Sequence, residues 1–420
     1  MPSVTFSPGD GKEVGGYGPL EIVFSQPMQT ASVESRLVIT PAMRGRFIWQ
    51  AQTLHFFPEG NLPPGTIYQV SLQPGATSVN GRAILFPKTW RVHVRQAQVV
   101  YLSHLKDGAE IVRSGAGEKT QLTHTGGKVD GLAVSRDGEE IAYSVKNGQT
   151  GEDLWVVDRD GKQARLLLDC GVDLCTDPSR SPDGRRIAFS RKIIQSASSA
   201  ILGGRIWLLD VSSHQVTALY ADPGITGSAP SWSPDGRRLA FFDENAGGLR
   251  VLNLDTHEDQ MLSTSDEQPG CWSNDGQLML LNDVVDTASV SHEAMFLAGF
   301  TGQAEKLLTG PVNETEDLNY SVPALSPDGQ WIAVGLNFND GPASTQLWLE
   351  KIDGTGAKAI TTNQVFTQAA YHWDPTSAEL VFQRLELGTS QARPEVVMWS
   401  RVTGTSTVID QDAGLPEWLP

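Results

Sequence analysis

Four polar side chains interrupt an otherwise regular pattern of short strands: Asp177, Arg180, His372 and Glu417. Carboxylates, a guanidinium and an imidazole are groups that bind charged ligands or transfer protons. Each stands on a strand whose alternate residues we expect to point toward a central channel, so together they predict a binding pocket there. The alternative is a water-filled channel lined by side chains that share no role, and the sequence leaves both interpretations open.

Familiar catalytic motifs are missing from the sequence. It contains no Gly-x-Ser-x-Gly elbow and no Gly-Lys-Ser/Thr phosphate loop, and His292-Glu293 lacks the second histidine of a zinc protease motif. We therefore predict that the chain is not an enzyme. A weaker alternative is an enzyme whose channel site carries no recognisable motif.

Carboxylates also gather in segments that we expect to form irregular loops on one face. Seven residues make up these clusters: Asp283, Asp286, Glu293, Glu314, Glu316, Asp317 and Asp340. Calcium takes six to eight oxygen ligands, but none of the clusters has calcium-loop spacing. We expect no cofactor, with Ca²⁺ as the alternative.

The three cysteines indicate little metal chemistry, because zinc-ligand spacing is absent. Cys170 and Cys175 stand in one segment, where a disulfide is plausible in an oxidising compartment. Two free thiols are the alternative. Cys271 lies in a strand that we expect to be innermost, and we predict that it is buried.

A repeated turn motif shows which elements must position these residues. Ser-x-Asp-Gly occurs at 135–138, 181–184, 233–236, 273–276 and 326–329, and a degenerate copy occurs at 374–377. Successive copies are 40 to 53 residues apart, and each is followed by an apolar strand such as Leu239-Ala-Phe241. Short strands recurring at this period are typical of a propeller or another repeat array.

These repeats resemble TolB-type, WD-like propellers, whose hallmark is a Ser-Pro-Asp-Gly turn after a strand that contains tryptophan. The resemblance covers residues 96–420 and implies an all-β propeller, in which the strand around Trp418 completes the blade that begins at Val99. We count seven blades, whereas TolB has six, so six is the alternative. Recurrent tryptophans such as Trp232 are expected to form core between blades.

The first 95 residues lack the repeat. Strands separated by Pro/Gly turns, such as 19–28 and 62–72, predict a small β-sandwich. This segment resembles bacterial Ig-like domains of surface proteins, which implies a spacer or adhesive module in the cell envelope. We therefore expect two domains, 1–95 and 96–420.

Charge is divided unevenly between these two parts. Residues 1–95 contain eight basic and five acidic residues, or +3, which leaves −20 of the total of −17 for the rest. An acidic propeller argues against nucleic-acid binding, which requires cationic contacts to phosphate. No segment reaches the ~18 apolar residues of a membrane helix, and no signal peptide is visible. For an envelope protein, this suggests that a signal or anchor was trimmed from the N-terminus.

Together these features predict a non-enzymatic, extracytoplasmic scaffold or interaction protein. It would present an acidic, loop-rich propeller face to a protein or a cell-surface polymer. The alternative is a module that binds a small ligand, a glycan or Ca²⁺ in the channel.

Overall fold

A computed structural model describes residues 2–17, 19–58, 61–105, 108–148, 150–195, 200–201, 203–286, 291–300, 306–308, 318–321, 323–338, 344–389 and 392–420. The chain divides into two compact units. The first is Met1–Ala97 together with Pro420, and the second is Gln98–Leu419. The sequence prediction placed the boundary between residues 95 and 96.

The first unit consists of two four-stranded sheets and one short helix. Its elements are β1 (Val4–Ser7), β2 (Lys12–Val14), β3 (Leu20–Phe24), α1 (Thr30–Glu34), β4 (Leu37–Thr40), β5 (Gly45–Gln50), β6 (Thr53–Pro58), β7 (Ile67–Leu72) and β8 (Lys88–Val94). One sheet has the order β1-β3-β6-β5, and the other has the order β2-β8-β7-β4. Alternate residues of the strands, such as Ile22 and Val70, are buried in one shared core, as expected for a sandwich. No helix within the described residues is long and apolar enough to cross a bilayer.

The second unit is built of antiparallel meanders without helices among its described residues. Its first half contains β9 (Gln98–Leu105), β10 (Gly108–Gly115), β11 (Glu118–Gln121), β12 (Val129–Val134), β13 (Glu140–Lys146), β14 (Glu152–Asp158), β15 (Arg165–Leu168), β16 (Leu174–Arg180), β17 (Arg186–Lys192), β18 (Ile194–Gln195), β19 (Ala200–Ile201), β20 (Arg205–Asp210), β21 (Val216–Ala218), β22 (Ser228–Trp232), β23 (Arg238–Asp243), β24 (Gly248–Asn253) and β25 (Asp259–Leu262).

The second half continues the same pattern. It contains β26 (Cys271–Trp272), β27 (Leu278–Asp286), β28 (Ser291–Gly299), β29 (Lys306–Leu307), β30 (Leu318–Tyr320), β31 (Ala324–Leu325), β32 (Trp331–Phe338), β33 (Gln346–Lys351), β34 (Lys358–Ala359), β35 (Phe366–Trp373), β36 (Glu379–Glu386), β37 (Glu395–Ser400), β38 (Ser406–Gln411) and β39 (Ala413–Leu419).

These strands form sheets whose members mostly follow one another in sequence. Four-stranded sheets have the orders β22-β23-β24-β25, β26-β27-β28-β29 and β35-β36-β37-β38, and a five-stranded sheet contains β30 to β34. Strands β12 to β17, β20 and β21 form one eight-stranded sheet, because a single parallel bridge joins Glu152 to Leu174. No sheet among the described residues closes on itself, and the count of seven blades stays a prediction.

The C-terminal strand pairs with the first strand of this unit. The order of that sheet is β11-β10-β9-β39, with Trp418 opposite Val99 as the sequence predicted. A buried cluster with Tyr101, Val381 and Val396 packs this sheet against β36 and β37. The pairing supplies hydrogen-bond partners to an edge of β9 that would otherwise be open.

The Ser-x-Asp-Gly motif forms a tight turn with the same hydrogen bonds in each intact copy. In the copy at 233–236, Ser233 Oγ donates to Asp235 Oδ1 at 2.6 Å and accepts the amide of Arg238 at 2.9 Å. Gly236 adopts a φ of 70°, a left-handed conformation that glycine accepts at little cost. The motif therefore fixes the turn that joins the first and second strands of each repeat.

The degenerate copy reaches the same turn with exchanged side chains. Asp374 occupies the serine position and accepts the amides of Ala378 and Glu379, both at 2.7 Å. Thr376 occupies the aspartate position and donates its hydroxyl to Asp374. The acceptor and donor have changed places, so the turn is retained although the motif is not.

Tryptophans of the inner strands link neighbouring sheets. We call the strand that precedes each turn motif, together with β39, an inner strand. Trp232 Nε1 donates to the carbonyl oxygen of Ser179 at 3.1 Å, and Trp418 Nε1 donates to that of His372 at 2.9 Å. Each indole thus satisfies its N–H on the inner strand of the preceding sheet, which confirms that these residues form core between repeats.

Several segments predicted to be irregular loops contain extended hairpins instead. Strands β27 and β28 include Asp283, Asp286 and Glu293, which were predicted to lie in irregular loops. Val284 and Val285 illustrate the reason, because β-branched residues favour continued pairing. The predicted acidic residues Glu314, Glu316, Asp317 and Asp340 lie outside the described residues.

Replacing Ser233 by alanine should reduce stability by about 1–3 kcal/mol, because the buried amide of Arg238 loses its acceptor. Urea unfolding of the full chain measures the effect. The matched control is Ser263→Ala at an exposed position, which should leave the midpoint unchanged. Equal midpoints for the two variants would contradict the structural role of the turn.

Candidate functional site

The inner strands share a bulge that shapes the centre of the second unit. In four of them, two residues oppose one buried aromatic residue of the neighbouring strand, namely Phe189, Phe241, Phe382 or Tyr101. A bulge bends its strand and redirects the adjacent side chains. The four inner strands therefore present side chains to the centre in a common geometry.

The first residue of each bulge has a left-handed backbone, although none is glycine. The φ angles are 51° at Asp177, 50° at Ala229, 49° at Ala370 and 48° at Leu415. A left-handed residue with a Cβ costs about 1–2 kcal/mol. Such strain is found at functional sites more often than elsewhere, and three of these four residues line cavities.

A small cavity of about 210 Å³ lies among β12, β16, β35 and β39. Its lining includes Asp130, Asp177, His372 and Glu417, so three of the four channel residues predicted from the sequence share one wall. Ser144 also lines it, is 1% exposed, and has no hydrogen-bond partner for its Oγ. The cavity thus contains a buried hydroxyl that no group of the described chain satisfies.

Glu417 is the most perturbed carboxyl in this wall. Burial raises its pKa to about 7, although the amide of Val134 donates to Glu417 Oε2 at 3.1 Å and favours the charged form. The surrounding protein also lowers the pKa of His372. The cause is removal of the imidazole from bulk water, which disfavours the charged ring, so the ring is neutral at pH 7.

Another carboxyl group with a raised pKa, that of Glu152, lies beside the small cavity. Glu152 is 7% exposed, and its Oε2 has no partner. Burial raises its pKa to about 7, and the neighbouring charges of Asp130 and Asp177 add to the rise. Lys146 compensates in part, through an ion pair with Asp130 at 2.6 Å. The charge of Lys192 also acts on Glu152, so three carboxyl groups share two lysines on this side of the cavity.

A large cavity of about 650 Å³ adjoins the small one and shares Ala370 and His372 with it. Its lining includes Asp266, Glu267 and Gln368. Burial and, to a smaller extent, the nearby charge of Glu293 together raise the pKa of Asp266 to about 6. We call the two cavities together the funnel.

Arg180 is the predicted residue that the structure does not place in the funnel. Its guanidinium forms an ion pair with Glu140 at 2.5 Å and donates to the carbonyl oxygen of Gly184 at 3.2 Å. Arg180 stands one residue before its turn motif, at the position that Trp232 occupies in the next repeat. Side chains at that position point toward the neighbouring sheet, whereas His372 and Glu417 stand one residue earlier and face the funnel.

The sequence prediction missed Asp130, Glu152, Asp266, Ser144 and Gln368. Asp130 could have been found, because it precedes the turn motif by five residues on an inner strand, close to the position of Asp177. Asp266 and Glu152 stand outside the inner strands, so the repeat gives no signal for them.

Within the described ranges, no group of three or more His, Cys, Asp or Glu side chains is arranged to hold a metal ion. The calcium alternative and the expectation of no cofactor stay predictions. Asp283 and Glu293 are described, but the side chain of Asp286 is not.

Two of the three cysteines form a disulfide, and the third is a free thiol. A disulfide joins Cys170, which precedes β16, to Cys175 at the start of that strand. Asp173, which lies between them, pairs with Arg191 at 2.7 Å. Cys271 is only half-buried, in contrast to the prediction, because it lines the large cavity.

Comparison with known proteins identifies both parts of the chain. Residues 2–92 match the family described as a bacterial Ig-like domain. The chain is similar to the β-propeller domain of the Trilobed protease from Pyrococcus furiosus, with a TM-score of 0.51 and 12% identity, over 83% of this chain and 93% of that one. TolB from Acinetobacter baumannii gives a TM-score of 0.45 and 18% identity, over 78% and 83% of the two chains. The predicted all-β architecture, an Ig-like domain followed by a β-propeller, is confirmed.

Among curated proteins, the chain is similar to the uncharacterized peptidase YuxL of Bacillus subtilis strain 168. The two are 24% identical over 198 residues, which are 39% of this chain and 30% of that protein. The chain matches less than half the length of the curated relatives, 30% of one and 43% of another.

These relatives contradict the prediction that the chain is not an enzyme. One is named a peptidase, and the propeller from Pyrococcus furiosus belongs to a protease. The inference failed because missing motifs exclude only those active sites whose motifs are known.

Replacing Asp177 by glycine should raise stability by about 1 kcal/mol, since glycine accepts a φ of 51° without strain. Ala229→Gly is the matched control, because its φ is 50° and it lies outside the funnel lining. Both variants should unfold at a higher urea concentration than the unmodified chain. A loss of stability in both would show that the backbone is not strained at these positions.

Proposed function

We propose that the propeller is a recognition module that takes a positively charged segment of a protein partner into its funnel. One observation carries the proposal. Five carboxyl side chains line the two cavities, and no lysine or arginine does so among the described residues: Asp130, Asp177, Asp266, Glu267 and Glu417.

The electrostatics of the funnel favour a cation over a neutral ligand. Asp266 and Glu417 are half-buried and form no ion pair among the described residues, and a ligand that supplies positive charge offsets the cost of burying their charge. The charge of −20 on residues 96–420 would also attract a basic partner over distance. A cavity of about 650 Å³ next to one of about 210 Å³ can hold several side chains of an extended segment.

The setting that we propose is the cell envelope. The match to bacterial Ig-like domains supports this location, and so does the disulfide between Cys170 and Cys175, since disulfides persist in oxidising compartments. The Ig-like domain would act as a spacer there.

Binding of a cationic peptide should strengthen between pH 6 and pH 8. The pKa values of Glu152 and Glu417 are about 7, so both carboxyls are largely neutral at pH 6 and charged at pH 8. Fluorescence anisotropy of a labelled peptide of alternating lysine and glycine measures this, and added salt should weaken the binding. Glu417→Gln should show a smaller increase in affinity between pH 6 and pH 8.

Glu118→Gln is the matched control, because it removes one charge from an exposed position on β11, outside the funnel lining. A peptide of alternating glutamate and glycine should not bind. If the acidic peptide binds as tightly as the basic one, or if Glu417→Gln and Glu118→Gln behave alike, the proposal fails.

A second candidate function is catalysis in the small cavity. It is supported by the raised pKa of Glu417 beside His372, whose pKa is lowered, because a carboxylic acid and a neutral imidazole can donate and accept protons near pH 7. The similarity to a protein named a peptidase directs the choice of substrates.

If the chain hydrolyses fluorogenic aminoacyl or dipeptidyl substrates, Glu417→Gln should lower kcat by about a hundredfold or more, as expected for loss of a general acid. The cationic peptide should still bind to this variant. Turnover that is absent in the unmodified chain, or equal in the variant, rejects catalysis by Glu417.

A further inference from the structure

The large cavity contains one buried acceptor that nothing in the described chain satisfies, and a carboxyl group that has no cationic partner there. Gln368 lines it, is 4% exposed, and has no hydrogen-bond partner for Oε1. Asp266 lines it as well and forms no ion pair among the described residues. Burying a carbonyl oxygen without a partner costs about 1–3 kcal/mol, so this wall is suited to a ligand that donates hydrogen bonds.

A hydrogen-bond network holds Asp266 in place. Asn282, which is fully buried, donates both amide hydrogens, one to Asp266 Oδ2 at 3.0 Å and one to the carbonyl oxygen of Ser321 at 2.8 Å. Ser321 Oγ lies 2.8 Å from the hydroxyl oxygen of Tyr371, which accepts the amide of Gly335 at 3.0 Å. The network spans three sheets, so the second oxygen of Asp266 is presented without further ordering.

The acceptors come from different elements that line the cavity. Asp266 precedes β26, whereas Gln368 belongs to β35, and Ser321 directly follows β30. A ligand that contacts both Asp266 and Gln368 needs at least two donors, one for each acceptor. Guanidinium has five N–H donors in a planar fork, whereas ammonium has three on a single nitrogen.

We infer that the large cavity is a subsite for a guanidinium group, the side chain of an arginine in the partner segment. Asp266 would bind it through a charge-assisted hydrogen bond, and Gln368 Oε1 would accept a further N–H. The inference rests on the proposed function, because it assigns one residue type of the cationic segment to one of the two cavities.

The test compares two peptides that differ in one side chain. Acetylated and amidated Gly-Gly-Arg-Gly-Gly and its lysine counterpart are titrated into the full chain by calorimetry at low salt. The arginine peptide should bind about tenfold more tightly, since the guanidinium fork can offer separate N–H groups to the two acceptors. Asp266→Asn should weaken arginine binding about tenfold, and Gln368→Met, which retains size but loses the acceptor, should weaken it severalfold.

Glu118→Gln again serves as the control and should bind both peptides as the unmodified chain does. Equal affinity for the two peptides would overturn the guanidinium subsite and leave the cationic funnel standing. The subsite is also overturned if Asp266→Asn and Gln368→Met have no effect while Asp177→Asn or Glu417→Gln weakens binding, because the small cavity then holds the arginine. If neither these peptides nor the lysine-rich one binds, the proposed function fails together with the subsite.

Discussion

The pairing of β39 with β9 is the interaction on which the funnel depends. It joins strands more than 300 residues apart, and it brings Glu417 into the wall that contains His372. The indole of Trp418 then fixes the two inner strands together through its bond to the His372 carbonyl oxygen. Without this pairing, β9 would expose an unpaired edge and the small cavity would lose one side.

Local chemistry explains how much of this fold the sequence predicts. A serine hydroxyl, an aspartate and a left-handed glycine within four residues determine a turn by themselves, so the repeat and its strands are readable without tertiary information. The exchanged Asp374 and Thr376 remained recognisable because the spacing was retained. The prediction for Arg180 was wrong because alternate residues of an inner strand face opposite sides. Arg180 stands where other repeats have a tryptophan, and that position faces the neighbouring sheet.

The large cavity was beyond prediction for a different reason. Asp266 and Ser321 lie in connecting segments, Gln368 lies on β35, and the three are far apart in sequence, with none departing from a recognisable repeat position. Packing between sheets brings these residues together. The unsatisfied acceptor results from the lack of a donor group nearby. Neither property has a pattern along the chain. For the same reason, the absence of motifs could not decide whether the chain is an enzyme, because an active site assembled from separate sheets has no motif in the sequence.

The shared bulge has a consequence for how such a protein can change. Four inner strands hold Asp177, Ala229, Ala370 and Leu415 in nearly the same backbone conformation, opposite aromatic residues that are fully buried. The side chain at each of these positions can therefore vary without disturbing the aromatic core behind it. Along each of these strands, the residues that face the funnel differ from those that pack in the core. Substitutions at the funnel positions can therefore change its lining while the fold is retained.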